Sequence, residues 1–132
     1  MIYYVDTSAF LAILDADDKN HISGKQQWTE LVLAEATLVC SDYVLIESLA
    51  LIQHRLGLAA ARVFHEDIFP LLTIQWIDEP IYRAGMASVL TAARRDLSLV
   101  DCISFEVMRR LGIQSAFAFD KHFHEQGFIC IP

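Results

Sequence analysis

Asp6, Glu47, Asp101 and Asp120 are the acids of this 132-residue chain whose surroundings ask most for a chemical role. Glu47 lies in YVLIESLALI, where its neighbours at helical spacing are Tyr43, Val44, Ala50 and Leu51, so a charge points along a mostly apolar face. It comes too late to serve in a capping box begun at Ser41 or Asp42. Left unpaired there, a carboxylate would be strongly penalised, so it calls for an arginine partner, a bound cation or a catalytic task. Asp101, in LSLVDCISF, has Leu97, Ser98, Ser104 and Phe105 around it. The stretch from Ser98 to Asp101 also fits a capping box, in which the acid reaches back to the cap residue's own N–H. Asp6 and Asp120 repeat one arrangement, with a strand-like run (IYYV, SAFAF), an acid at its carboxyl end and then a turn. Each of these two also fits a helix cap or an Asx-turn.

Together, two acids fall at the carboxyl ends of strands and two on the inner faces of helices. In an open parallel sheet, ligands bind outside the strands' carboxyl ends, in the crevice where strand order reverses. A cluster of carboxylates there repels itself unless counter-charged. Hard oxygen ligands select Mg²⁺ or Mn²⁺, and one or two such ions can activate water and stabilise an in-line displacement at phosphorus. Phosphodiester hydrolysis is the reaction class this predicts.

The elements that must position these acids alternate short β-branched or aromatic runs with longer helical stretches, the pattern of βαβ units on a parallel sheet. Strands are predicted over 2–5, 37–40, 72–77, 115–119 and 127–131. From Tyr43 to Leu56, apolar residues recur at Leu45, Leu49, Ile52 and Leu56, with Gly57 as the stop. Further helices are predicted over 58–69, 79–95 and 98–111, the last ending at Gly112. No repeat, low-complexity tract or linker interrupts residues 1–132, which read as one domain.

A 55% hydrophobic composition supports a core of ordinary size. The net charge of −7 argues against binding nucleic acid through Lys and Arg alone, but not against a protein that holds cations. Apolar runs such as Ala9 to Leu14 and Leu49 to Ile52 are far shorter than a membrane span, and the N-terminus opens into a strand rather than a secretory signal. Cys40, Cys102 and Cys130 lie apart in apolar settings, as buried thiols in a reducing cytoplasm would. The mean hydropathy of +0.37 suggests apolar surface covered by a partner. His122 and His124 flank Phe123 without the spacing of a zinc helix and read as a polar surface pair, and His54 as structural.

The segments VDTSAFLAIL, SDYVLIESLALI, LSLVDCISFEVMRRLGI and AFAFDKHFHEQGF, in this order over nearly the whole chain, resemble PIN-domain nucleases, in particular VapC-type toxins of bacterial toxin–antitoxin pairs. The resemblance implies a three-layer α/β/α sandwich on a five-stranded parallel sheet ordered 3-2-1-4-5, with Asp6 and Asp120 facing each other at the reversal. It carries the metal-binding acids onto Asp6, Glu47, Asp101 and Asp120. Ser8 takes the position of a hydroxyl supporting the first acid, with Thr7 as a further helper; Thr7 and Ser8 would cap the helix while Asp6 holds the metal. Asp96 is a candidate for the family's variable fifth acid, and equally fits a solvated loop. The implied activity is a Mg²⁺- or Mn²⁺-dependent endoribonuclease of the cytoplasm, cutting transfer or ribosomal RNA. Such a protein would be a homodimer silenced by a cognate antitoxin that fills an apolar groove. Lys19, His21, Lys25, Arg94, Arg95 and Lys121 are candidate RNA contacts, whereas Arg109 and Arg110 suit a helix C-terminus.

The alternatives are a PIN-fold RNA-processing nuclease with no antitoxin and a non-catalytic α/β interaction module whose acids only cap helices; Glu47 counts against the latter. A phospho-accepting receiver would need an acidic pair after the first strand and a Lys after the last. A haloacid-dehalogenase phosphatase would need an Asp where Ser8 stands.

Overall fold

The computed structural model describes residues 1–132, with five strands in one parallel sheet. In chain order the elements are β1 (Ile2–Val5), α1 (Thr7–Leu14), α2 (His21–Leu33), β2 (Thr37–Ser41), α3 (Asp42–Leu56), α4 (Leu58–Val63), β3 (Leu72–Gln75), α5 (Glu79–Ala92), α6 (Leu99–Leu111), β4 (Ser115–Phe117), α7 (Lys121–Glu125) and β5 (Ile129–Ile131). The sheet order is β3-β2-β1-β4-β5, so the predicted reversal falls between β1 and β4, whose register pairs Val5 with Phe117. None of the helices is long and apolar enough to cross a membrane.

β1 is the central strand, and its consecutive residues Tyr4 and Val5 are both fully buried. Successive strand residues point to opposite faces, so helices must cover both sides of the sheet. Tyr4 also fastens the layers. Its hydroxyl donates to Ser104 Oγ on α6 at 2.8 Å and accepts from the Ser41 N–H at the end of β2 at 3.3 Å. Burial drives this phenol's pKa far above the ordinary range, so it stays a donor. Tyr4→Phe should therefore cost about 1–3 kcal/mol, because it leaves the Ser41 N–H and the Ser104 hydroxyl in a dry core without their partner. Urea denaturation should show a lower midpoint at unchanged slope.

Helix α6, which carries Asp101, packs closely on α5 because a Cβ on Gly85 would lie 2.7 Å from Ile103 Cγ1. It ends at Gly112 in the left-handed region (φ 69°), as its sequence predicts. Several element ends fall earlier than predicted because side chains claim the N–H groups that would have extended them. Asp42 Oδ1 accepts from the Ile77 N–H at 2.9 Å just beyond β3, and Ser8 Oγ accepts from the Phe119 N–H at 3.0 Å just beyond β4. The helix predicted over 58–69 is regular only to Val63. It continues as a π-helical turn over Phe64–Ile68 and a 3₁₀ turn over Phe69–Leu71, because Pro70 cannot supply a helical N–H. The wider turn directs both Phe64 and Ile68 into the core, Phe64 meeting Phe10 edge-on at 5.0 Å. Helix α5 stops at Ala92 rather than Arg95 because Ala93 adopts φ 53°, a left-handed stop that an alanine does not advertise.

Candidate metal centre

Asp6 directly follows β1, and its N–H donates to the Phe117 carbonyl of β4 at 3.1 Å, which places it in the β1–β4 crevice. Its side chain caps α1. Oδ2 accepts from the Ser8 N–H at 3.1 Å and from the Ser8 hydroxyl at 2.7 Å. The predicted division of labour, with Thr7 and Ser8 capping and Asp6 free, is thus corrected. One carboxylate oxygen caps, leaving Oδ1 without a bond, and Ser8 braces Asp6 while tying it to Phe119 across the crevice. Thr7 is buried and accepts from Ser48 Oγ at 3.0 Å, pinning α3 against the start of α1 one residue from Glu47.

Asp101 lies in the first turn of α6. The Asp101 N–H donates to Ser98 Oγ at 3.1 Å, and the Ser98 hydroxyl and N–H favour the Asp101 carboxylate in return. Ser98 thus caps α6 through the Asp101 N–H, while the carboxylate of that same Asp101 is buried beside Asp120. Asp120 caps α7, Oδ1 accepting from the His122 N–H at 2.9 Å, so its Asx-type role is also real. Ligand atoms of Asp101, Asp120 and His122 all lie within 4.8 Å of one another.

The electrostatics join Asp6 to this group. Burial pushes the Asp6 carboxyl up to about 7; the Ser8 hydrogen bonds oppose the shift, and repulsion from Asp101 and Asp120 adds to it. Burial likewise raises Asp101 to about 6, with Asp120 contributing. Asp101 and Asp120 thus meet at the carboxyl edge of the sheet, with Asp6 near enough to feel both charges, and the buried Asp6 and Asp101 carboxyls resist ionisation. Carboxylate oxygens gathered in this way are the ligands that hard divalent ions such as Mg²⁺ and Mn²⁺ prefer.

Glu47 stands apart from this cluster. Half-buried on α3, it forms no salt bridge, so the arginine-partner alternative fails. It lines an open groove of about 400 Å³ with Asp42, Tyr43, Ile46 and Val100, the residue before Asp101. Asp96 is gripped by Arg94 through bonds of 3.1 and 2.9 Å, and Arg94 also holds Glu125 at 3.1 Å. Arg94 is thus an ion-paired rather than a free cation at the surface. His21 is spent too, its Nδ1 lying 2.7 Å from the Ala12 carbonyl. Lys19, Lys25, Arg95 and Lys121 remain exposed.

The histidine pair needs a larger correction. His124 is exposed as predicted, but His122 is only 5% exposed and faces the acids. Nε2 lies 3.8 Å from Asp96 Oδ2 and 3.9 Å from Asp120 Oδ1, while Nδ1 lies 3.3 Å from Glu125 Oε2. Burial disfavours the imidazolium, but the Glu125 hydrogen bond and the nearby Asp120 and Asp101 outweigh it and raise the pKa. The overlooked signal was local: an Asp that caps a helix through the N–H two residues later holds that residue's side chain close beside it.

Comparison with known proteins agrees with the fold. The PIN domain profile matches residues 3–129. The 23S rRNA-specific endonuclease VapC20 of Mycobacterium tuberculosis strain H37Rv is 30% identical over 130 residues, covering 96% of this chain and 95% of that protein. The crystal structure of Mycobacterium tuberculosis VapC20, described as a sarcin-ricin loop cleaving toxin, aligns with a TM-score of 0.85 at 29% identity, over 98% of this chain and 97% of that one. VapBC2 from Rickettsia felis, bound to a DNA fragment from their promoter, shares the fold with a TM-score of 0.71 at 13% identity, over 98% of this chain and 97% of that one. FitAcB from Neisseria gonorrhoeae does so with a TM-score of 0.70 at 17% identity, over 100% of this chain and 97% of that one. With the profile spanning nearly the whole chain and strands ordered 3-2-1-4-5 around the acids, this chain belongs to the PIN domain family.

Proposed function

We propose that the chain is a metal-dependent endoribonuclease and the toxin of a toxin–antitoxin pair. The observation that carries this reading is the pairing of Asp101 with Asp120 beside the buried Asp6 of the β1–β4 crevice in a PIN domain. In this reading Asp6, Asp101 and Asp120, with Glu47 from the neighbouring groove, hold Mg²⁺ or Mn²⁺. When bound, such an ion supplies Lewis-acid stabilisation of phosphate oxygens and acidifies water. The chain's own part is positioning: Ser8 fixes the Asp6 carboxylate, the Thr7–Ser48 bond fixes the helix bearing Glu47, and Ser98 orients Asp101. Asp96, held by Arg94, supports the site from its edge rather than joining it. Lys19, Lys25, Arg95 and Lys121 are left to meet the RNA backbone.

Ribosomal RNA is the first substrate to test, since VapC20 bears the name of a 23S rRNA-specific endonuclease; transfer RNA is the second. A cognate antitoxin is supported by the VapBC2 likeness and by the apolar groove beside Glu47, where Ile46 is 63% exposed. Action as a cytoplasmic homodimer completes the reading. Purified protein incubated with ribosomal and transfer RNA should cut at discrete sites in Mn²⁺ or Mg²⁺ and not in EDTA, as read by sequencing the RNA ends. Where a small protein is encoded beside it, co-expression of that protein should relieve growth arrest. Cleavage indifferent to EDTA would defeat the metal-centred mechanism, and cleavage with no neutralising neighbour would point to an RNA-processing nuclease.

A further inference from the structure

We infer that His122 supplies Nε2 as a nitrogen ligand to the ion held by Asp101 and Asp120, making the centre a mixed oxygen–nitrogen site. This rests on the metal-dependent reading above and adds a ligand that an all-carboxylate site lacks. His122 is 5% exposed, yet its Nε2 makes no hydrogen bond and turns toward the acids. An octahedral ion with bonds of about 2.1 Å places adjacent ligands about 3.0 Å apart and opposite ligands about 4.2 Å apart. The 3.9 Å from Nε2 to Asp120 Oδ1 lies between these values, and the whole group, whose ligand atoms lie within 4.8 Å of one another, needs only a small inward rotation of its side chains to close on one ion.

The other face of the ring is built as a metal-bound histidine requires. Nδ1 lies 3.3 Å from Glu125 Oε2, and Glu125 is itself anchored by Arg94 Nη1 at 3.1 Å. A carboxylate on Nδ1 sets the tautomer that leaves the Nε2 lone pair facing the ion. Asp96 Oδ2, 3.8 Å from Nε2, makes no hydrogen bond to the ring and is bonded to Arg94, as is Oδ1. Imidazole favours transition ions, whereas Mg²⁺ prefers oxygen, so this site should select Mn²⁺ and later divalent metals over Mg²⁺.

The test is pulsed electron paramagnetic resonance of the full chain loaded with Mn²⁺. Coordinated imidazole should produce ¹⁴N modulation in the natural protein, absent in His122→Gln. Titration calorimetry should also show the Mn²⁺-over-Mg²⁺ preference falling about 10-fold or more in the variant. Mn²⁺ bound without ¹⁴N coupling in the natural protein would overturn the inference and leave the carboxylate-metal reading intact. Coupling that persists in folded His122→Gln would assign the nitrogen elsewhere and overturn it as well. No Mn²⁺ binding at all would overturn both.

Discussion

Asp6→Asn should abolish metal-dependent RNA cleavage while leaving the fold intact. Asparagine caps helices about as well as aspartate, and its carbonyl oxygen can take over the bonds that Ser8 makes to Oδ2. The substitution therefore removes a charge and little else. Because that charge is 4% exposed, its contribution to holding a cation and stabilising a developing charge is not diluted by solvent. A loss of at least about 10²–10³-fold in kcat/KM is expected, the scale of deleting one preorganised electrostatic group from a closed site. In the proposed reading Glu47→Gln should also abolish cleavage, since Glu47 lines the groove on α3 beside Val100, the residue before Asp101. The measurement is cleavage of a defined RNA by purified variants whose circular dichroism matches that of the natural protein. Cleavage by Asp6→Asn at the full rate would remove Asp6 from the metal site.

The acids were legible in the sequence for the same reason that made each of them ambiguous. A strand that runs into a helix N-terminus needs a cap, and at the carboxyl edge of a parallel sheet that cap stands where ligands bind. Asp6, Asp101 and Asp120 each engage a helix N-terminus and also face the crevice, so no local pattern could separate the two roles. Strand order was legible only through the family resemblance, and the structure agrees with it. Hidden from periodicity were the pairings that close over long separations: Arg94 with Glu125, 31 residues apart, and Ser8 with Phe119, 111 apart. Those bonds decided that Arg94 is not a free cation and that β4 stops at Phe117. They also set the environment that turns His122 from a surface residue into a buried one facing acids.

In chelator, the stability of the protein should fall as pH rises from about 4 to above 7, the reverse of the behaviour of a protein held by carboxylate salt bridges. Asp6 titrates near 7 in the folded chain against an ordinary 3.8, so across that window the folded state keeps a proton that the unfolded state has lost. Stability must then decline with pH, and the Asp6 contribution alone has a ceiling on the order of 4 kcal/mol. Asp101, raised to about 6, acts in the same direction. So does His122, because its folded pKa is also raised, and the stability its cation provides is lost as pH passes through that value. Asp96 and Glu125, whose pKa values are lowered by hydrogen bonds to Arg94 and His122 respectively, act oppositely but only at acid pH. Urea midpoints in EDTA at pH 4.5, 6 and 8 should therefore decrease in that order. Asp6→Asn should flatten the trend and make the variant the more stable protein at pH 8, by about 5–10 °C in thermal unfolding. Added Mn²⁺ should reverse that ranking at pH 8, because ligand binding to the folded state stabilises the chain whose carboxylates hold it best. If natural-protein stability rose between pH 5 and 8 in chelator, the acids would not be buried against one another.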